Sequence, residues 1–174
     1  VYKTRACDFD DTKASVLGDY IPAKLGMDDG ENAIYMVATS DYAGNMLFFF
    51  ENGKGAKVPL SSYQTKTKRK KLISAYSDKS KLTAIYHITE DGEYMLTSSN
   101  NRVLITNSAL IAPKTTKDTQ GVAVMTLKTN TFLASVLPFK DGMLLNAHRF
   151  MTKNIPAAGS FPRPEDKGEQ QLTF

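Results

Sequence analysis

The stretch "NMLFFFENGKGAKVPLSSY", residues 45–63, has the pattern of a β-hairpin. Aromatic and aliphatic residues run up to Asn52-Gly53, and apolar residues resume at Ala56 and Val58. Asn-Gly pairs accept the positive φ angles that tight hairpin turns require. No helical period is visible, so the stretch predicts two antiparallel strands in which Phe48–Phe50 pack into a core rather than lie exposed.

The same plan recurs along the chain. "EYMLTSSNNRVLITNS" (93–108) forms a second hairpin pattern around Asn100-Asn101, a pair that also tolerates left-handed backbone. Segments 1–9, 55–63 and 102–111 each look like a strand that runs into a short polar stop, and 148–156 is a weaker copy. Polar loops follow them, and then come strand-like runs at 33–39, 83–89 and 131–139.

This repetition predicts an all-β fold with little helix, built as a propeller-like array of four-stranded antiparallel blades. Three fairly complete units are expected at about 1–40, 41–90 and 91–139, with a partial unit at 140–156. Residues 157–174 are expected to form a closing segment and a polar tail. Val1 begins inside a predicted strand without a hairpin partner, which suggests a fragment of a longer protein.

Composition narrows the class of protein. Among 174 residues, 41% are hydrophobic and 23% charged, which is enough apolar content for a core. No apolar run reaches the ~18 residues of a membrane span, and no signal peptide is visible. Cys7 cannot form an internal disulfide, suits a reducing cytoplasm, and is expected to be a small core residue.

The net charge of +4 is unevenly distributed. Residues 54–81 hold nine bases against one acid, and "QTKTKRKKL" (64–72) places five of them within six positions. A concentrated run of this kind predicts a surface for a polyanion, although a basic run taken alone is as often a solvated loop. The candidate residues for binding such a polyanion are Lys66, Lys68, Arg69, Lys70, Lys71, Lys54, Lys57, Lys3, Arg5, Lys114 and Lys117, with Lys153 in the partial unit.

Catalytic and metal-binding patterns are missing from the sequence. It offers no Ser or Cys nucleophile with an identifiable His and acid, and no phosphate-cradling glycine loop. Asp28, Asp29 and Glu31 could suggest a metal site, but they lack the alternating spacing and distal Glu of a calcium loop. We therefore expect a solvated turn there, no catalytic residue, no metal and no cofactor.

The hairpin at 45–63, the basic loop and "KLISAYSDKSKLTAIYHIT" (71–89) together resemble the C-terminal domain of the A subunit of bacterial type IIA topoisomerases, DNA gyrase and topoisomerase IV. The resemblance covers about residues 1–139 and is best over 45–90. It implies a β-pinwheel, in which neighbouring blades exchange strands. It also implies duplex DNA bound without sequence preference and bent or wrapped around a basic outer rim.

The same resemblance also implies the binding partners, the location and the parent enzyme of the domain. The partners would be double-stranded DNA, the rest of the topoisomerase A subunit and its ATPase subunit, in the cytoplasm and on the nucleoid, with no membrane. The parent would be an ATP-hydrolysing topoisomerase, while this part would be non-catalytic. Gyrase carries a Gln-Arg-Arg-Gly-Gly-Lys-Gly heptad that nothing here matches, so either that heptad precedes Val1 or the parent is of the favoured topoisomerase IV type. The alternative function is a propeller-type protein-interaction module whose basic loop binds an acidic partner.

Overall fold

A computed structural model describes residues 1–65 and 70–166 of the chain. Within these ranges the regular structure is mostly β, which confirms the predicted fold class, and the α-helix α1 spans only Ile21–Leu25. The strands are β1 (Asn45–Phe50), β2 (Lys54–Pro59), β3 (Leu82–Ile88), β4 (Glu93–Ser98), β5 (Val103–Asn107), β6 (Val122–Ala123) and β7 (Leu133–Pro138). Short 3-10 turns lie at Ala6–Asp8, Leu60–Tyr63, Ser108–Leu110, Ala147–Arg149 and Pro164–Asp166.

Both predicted hairpins are confirmed. β1 and β2 pair antiparallel, and Gly53 in their turn has φ 77°, a left-handed value that glycine adopts without steric cost. β4 and β5 pair in the same way, with Asn101 at φ 62°. In each unit the second strand of the hairpin leads into a 3-10 turn, which is the short polar stop that the repeat predicted.

Two antiparallel sheets share one plan. The strand orders are β3-β1-β2-β6 and β5-β4-β7, so the first strand of each hairpin lies between its hairpin partner and a strand from farther along the chain. β3 and β7 come from the predicted runs at 83–89 and 131–139. The Tyr86 hydroxyl donates to the Val136 carbonyl at 2.6 Å, which joins β3 of one sheet to β7 of the other.

Segments are exchanged between neighbouring units. β6 follows the second hairpin in sequence but pairs with β2 of the first sheet, with Gly55 opposite Val122. Ser160 lies still farther along and pairs with Val103 of β5, exchanging two backbone hydrogen bonds of 2.8 Å. Lys71 follows the first hairpin and pairs with Tyr2. At Lys71 and at β6, therefore, the chain passes one hairpin and returns to the unit before it, as in the strand exchange that the resemblance implies. At Ser160 it returns to the second hairpin after β7.

The core lies on both sides of β1. Leu47 and Phe49 point into a cluster shared with the second sheet, whereas Phe48 and Phe50 point into a cluster completed by residues such as Val58. All five side chains are buried, as predicted for the aromatic run. Burial of each large apolar side chain contributes about 1.5–3 kcal/mol, so β1 is a main source of stability.

The strand expected at 33–39 is not formed. Ile34 is 60% and Met36 80% exposed, and no strand within the described residues pairs with this segment. The hydroxyl of Tyr35 instead accepts a 2.8 Å hydrogen bond from the His87 backbone N–H. A strand needs a partner for its backbone groups, and an apolar composition alone cannot supply one. The described residues form two antiparallel sheets, and the division of the chain into three units and a partial one stays a prediction.

Two smaller expectations are also wrong. Residues 148–156 are not a copy of the strand but contain the end of a 3-10 turn and one parallel bridge, between Met151 and Ile105. Cys7 is exposed rather than buried, because it lies in the surface 3-10 turn Ala6–Asp8. No helix in the described ranges is long and apolar enough to cross a membrane.

Candidate nucleic-acid interface

Three loops lead from a 3-10 turn to an exchanged pairing, and we call them the first (64–71), second (112–121) and third (150–159) exchanged loops. They end at Lys71, at Gly121 before β6, and at Gly159 before Ser160, respectively. The central residues of the first loop, 66–69, lie outside the described part of the chain.

The second and third exchanged loops occupy corresponding places in their units. Near its start, the second loop forms a parallel bridge from Pro113 to Lys57, and the third forms one from Met151 to Ile105. Both loops end in a glycine with positive φ, 70° at Gly121 and 67° at Gly159. A Cβ at Gly121 would meet the Gly55 carbonyl oxygen at 1.9 Å, and one at Gly159 would meet that of Val103 at 2.6 Å. These close approaches show that each loop end lies directly on the strand it joins.

Several predicted cations lie on these loops. Lys70 on the first loop, Lys114 on the second and Lys153 on the third are exposed, and Lys117 on the second is half-buried. Lys66, Lys68 and Arg69 belong to the first loop in sequence but fall outside the described residues. The exchange thus places basic residues that are far apart in sequence on corresponding loops of successive units.

Lys71 is held by the protein's own anions. Its ammonium contacts Asp28 Oδ2 at 2.5 Å and Glu31 Oε1 at 3.0 Å, and lies 5.2 Å from the centre of the Tyr2 ring. Hydrogen bonds to Asp28 raise the pKa of Lys71, assisted by Tyr2 and Glu31. The Tyr2 hydroxyl donates to Glu31 and is the main reason why the pKa of this carboxyl falls to about 2. The turn at Asp28–Glu31, which was expected only to be solvated, thus forms ion pairs with the last residue of the basic run.

Lys57 is removed from the candidate interface by its burial. Its side chain is only 5% exposed, and its ammonium donates to Asp91 Oδ1 at 2.7 Å. Ser108 also donates to this carboxylate at 2.5 Å, so Asp91 links β2 to the 3-10 turn that follows β5. Hydrogen bonds from Lys57 and then Ser108 lower the pKa of Asp91. A buried, paired ammonium has no free face for a phosphate, which corrects the expectation for Lys57.

Three other bases hold the exchanged loops in place. Lys3 donates to Thr65 at the start of the first loop, and Lys54 Nζ lies 3.5 Å from Gln120 Oε1 on the second. Arg102 Nη1 donates to the Gly159 carbonyl on the third loop at 2.9 Å, and its guanidinium lies 4.4 Å from the centre of the Phe161 ring. Arg102 was not predicted as a site residue, although the repeat places it before β5 as Lys54 stands at the start of β2.

Arg5 is exposed and pairs with a neighbouring acid. Its Nη2 lies 3.0 Å from Asp8 Oδ1, and the hydrogen bond to Asp8 raises the pKa of Arg5. The pair lies at the 3-10 turn Ala6–Asp8, which corresponds in the repeat to Leu60–Tyr63 at the start of the first exchanged loop. Within the described residues, no group of three or more His, Cys, Asp or Glu side chains is placed to hold a metal ion.

Solved structures share this fold. A C-terminal domain of DNA topoisomerase IV matches with a TM-score of 0.69 and 17% identity over 87% of this chain and 53% of its own. The C-terminal domain of DNA gyrase A matches with a TM-score of 0.60 and 19% identity over 84% and 55%. The chain has the fold of topoisomerase C-terminal domains. The C-terminal domain of E. coli ParC also matches, with a TM-score of 0.63 and 11% identity, over 90% of this chain and 70% of the ParC domain chain.

The chain matches these domains in structure and not in sequence. The chain spans about half the length of the first two topoisomerase domains, 53% and 55%. No protein-family model matches the sequence, and no curated protein matches it.

Proposed function

We propose that this chain binds duplex DNA without sequence preference and bends it along the exchanged loops, as an accessory domain of a type IIA topoisomerase. The observation that carries the proposal is the recurrence of exposed bases, Lys70, Lys114 and Lys153, on corresponding loops of successive units. The shared fold with topoisomerase C-terminal domains supports it. The five bases of Lys66–Lys71 add the strongest concentration of positive charge in the sequence.

The physical basis is the release of counterions from DNA. Each Lys or Arg that neutralises a phosphate releases condensed cations, which gives a slope of about −0.9 in log affinity against log salt per contact. Such contacts fix the position of the duplex but read no sequence. Bending a 20–30 bp site costs on the order of 1–6 kcal/mol, so one loop is not enough and contacts must recur from unit to unit.

We favour a topoisomerase IV-type A subunit over gyrase, since the sequence lacks the glycine-rich basic heptad of gyrase. The alternative is a gyrase whose heptad precedes Val1. Under this proposal the DNA-cleaving tyrosine and the ATPase belong to other parts of the enzyme, and this part selects and bends the DNA that they act on. Its partners are then the remainder of the A subunit and the ATPase subunit.

The test is the affinity for duplexes of about 30 bp, a length comparable to a bent site, at several salt concentrations. Fluorescence anisotropy with two unrelated sequences should give similar affinities that fall steeply between about 50 and 200 mM salt. Strong preference for one sequence, or affinity that does not change with salt, would contradict the proposal. An acidic protein captured in place of DNA would point to the protein-interaction module.

A further inference from the structure

A short acidic turn, residues 28–31, lies against the C-terminal end of the basic run. It follows α1 and is closed by two hydrogen bonds between its ends. The Glu31 backbone N–H donates to the Asp28 carbonyl at 3.0 Å, and the Asp28 backbone N–H donates to Glu31 Oε2 at 2.9 Å. The turn therefore holds the Glu31 carboxylate in a defined place.

The chain also fixes the lysine that faces the acidic turn. Leu72 donates its backbone N–H to the Val1 carbonyl at 2.8 Å, and Lys71 forms a bridge with Tyr2. Because Tyr2 donates its hydroxyl to Glu31, the same pairing that positions Lys71 also positions its acceptor. The two ion pairs of Lys71, at 2.5 and 3.0 Å, are thus built into the exchanged pairing.

The net charge around Lys71 disfavours the binding of DNA phosphate there. The turn carries three carboxylates, Asp28, Asp29 and Glu31, against the ammonium of Lys71 and the terminal ammonium of Val1, which leaves net negative charge next to the exposed Lys70. A phosphate within the Debye length of ~8–10 Å experiences this charge, and one that binds Lys71 must displace a carboxylate. In the second and third exchanged loops the corresponding position is a glycine, Gly121 or Gly159, so this contact is particular to the loop with the most bases.

We propose that the acidic turn competes with DNA phosphate for Lys71 and so weakens the binding of DNA by the first exchanged loop. This inference rests on the proposed function, because it needs DNA as the competing anion. Its consequence is that Lys71 contacts DNA only when Asp28 and Glu31 release it. The chain then binds DNA with one contact fewer than its basic run would provide.

The test removes both acids while keeping their shapes, in the variant D28N/E31Q. One additional phosphate contact should steepen the salt slope by about 0.9 and raise affinity about eight-fold at 0.1 M salt. The matched control is D10N/D11N, which makes the same change in net charge at two exposed acids of the same N-terminal region. Neither touches Lys71, and Asp10 lies 4.0 Å from Lys24. The control should change affinity less than about two-fold, because screening weakens distant charges.

A second variant guards against damage to the turn. Asp28 is 74% exposed and does not accept the Tyr2 hydrogen bond, so D28N alone should keep the fold and shift affinity in the same direction. If the wild type binds DNA with a steep salt slope but both acid variants behave like D10N/D11N, the competition is refuted and the proposed function stands. If the wild type shows no salt-dependent binding, both proposals fail.

Discussion

The substitution Gly121→Ala tests the strand exchange at its tightest point. Gly121 has φ 70°, and a Cβ there would meet the Gly55 carbonyl oxygen at 1.9 Å and the Ala56 Cα at 2.6 Å. These are backbone atoms of β2, which cannot rotate aside as a flexible side chain could. The alanine therefore forces the second exchanged loop away from the strand it joins, or forces the strand to move.

Two costs add up in this variant. An L-residue in the left-handed region costs about 1–2 kcal/mol, and overpacking costs typically about 1–3 kcal/mol more. Gly142 supplies the matched control, since its φ is 92° but nothing lies within 4 Å of its Cβ position. Gly142→Ala should lose only the roughly 1–2 kcal/mol of backbone strain. The difference between the variants, about 1–3 kcal/mol, then measures the close approach itself.

Urea unfolding monitored by far-UV circular dichroism gives both free energies of unfolding, provided that the slopes m stay equal. Gly121→Ala should lower the midpoint clearly more than Gly142→Ala. Equal losses in the two variants would refute the reasoning, because they would show that the second exchanged loop does not lie on β2 as the pairing of Gly55 with Val122 requires.

Two further predictions concern buried charge. Asp91→Ala leaves the ammonium of Lys57 buried without its partner and should cost about 3 kcal/mol in urea unfolding. Lys57→Met should cost clearly less, because the Asp91 carboxylate that it leaves is 41% exposed and keeps the hydrogen bond from Ser108. Equal damage from both variants would contradict this account of the pair. The backbone N–H of Arg163 is the main reason why the pKa of Asp166 falls from 3.8 to about 2. The carboxylate then stabilises the fold fully above pH 3.8 and loses this effect as pH falls through about 2, so D166N should show a smaller loss of stability across that window. An unchanged pH profile would count against it.

The local elements of the fold were predictable from sequence. Asn52-Gly53 and Asn100-Asn101 mark hairpins because their backbone requirements are local. The aromatic run at Phe48–Phe50 was expected in the core because a strand of this composition buries at least one face, and the structure buries both.

Features that depend on distant partners were not predictable. The pairings of Tyr2 with Lys71 and of Gly55 with Val122 join residues far apart in sequence, and no local pattern names such a partner. The strand predicted at 33–39 failed for the same reason. Lys57 looked like an exposed base because nothing in its own strand shows that Asp91 would cover it.

The claim that corresponding loops carry the DNA contacts is tested most directly by neutralising them one at a time and measuring the salt slope of duplex binding. Neutralising each Lys or Arg that contacts a phosphate should reduce the magnitude of the salt slope by about 0.9. We expect flatter slopes from K66Q/K68Q/R69Q/K70Q, from K114Q/K117Q and from K153Q, the first being the largest. The control K13Q/K140Q changes two exposed lysines outside these loops. If it flattens the slope as much as K114Q/K117Q does, the charge acts through the whole surface, and the exchanged loops are not the path of the DNA.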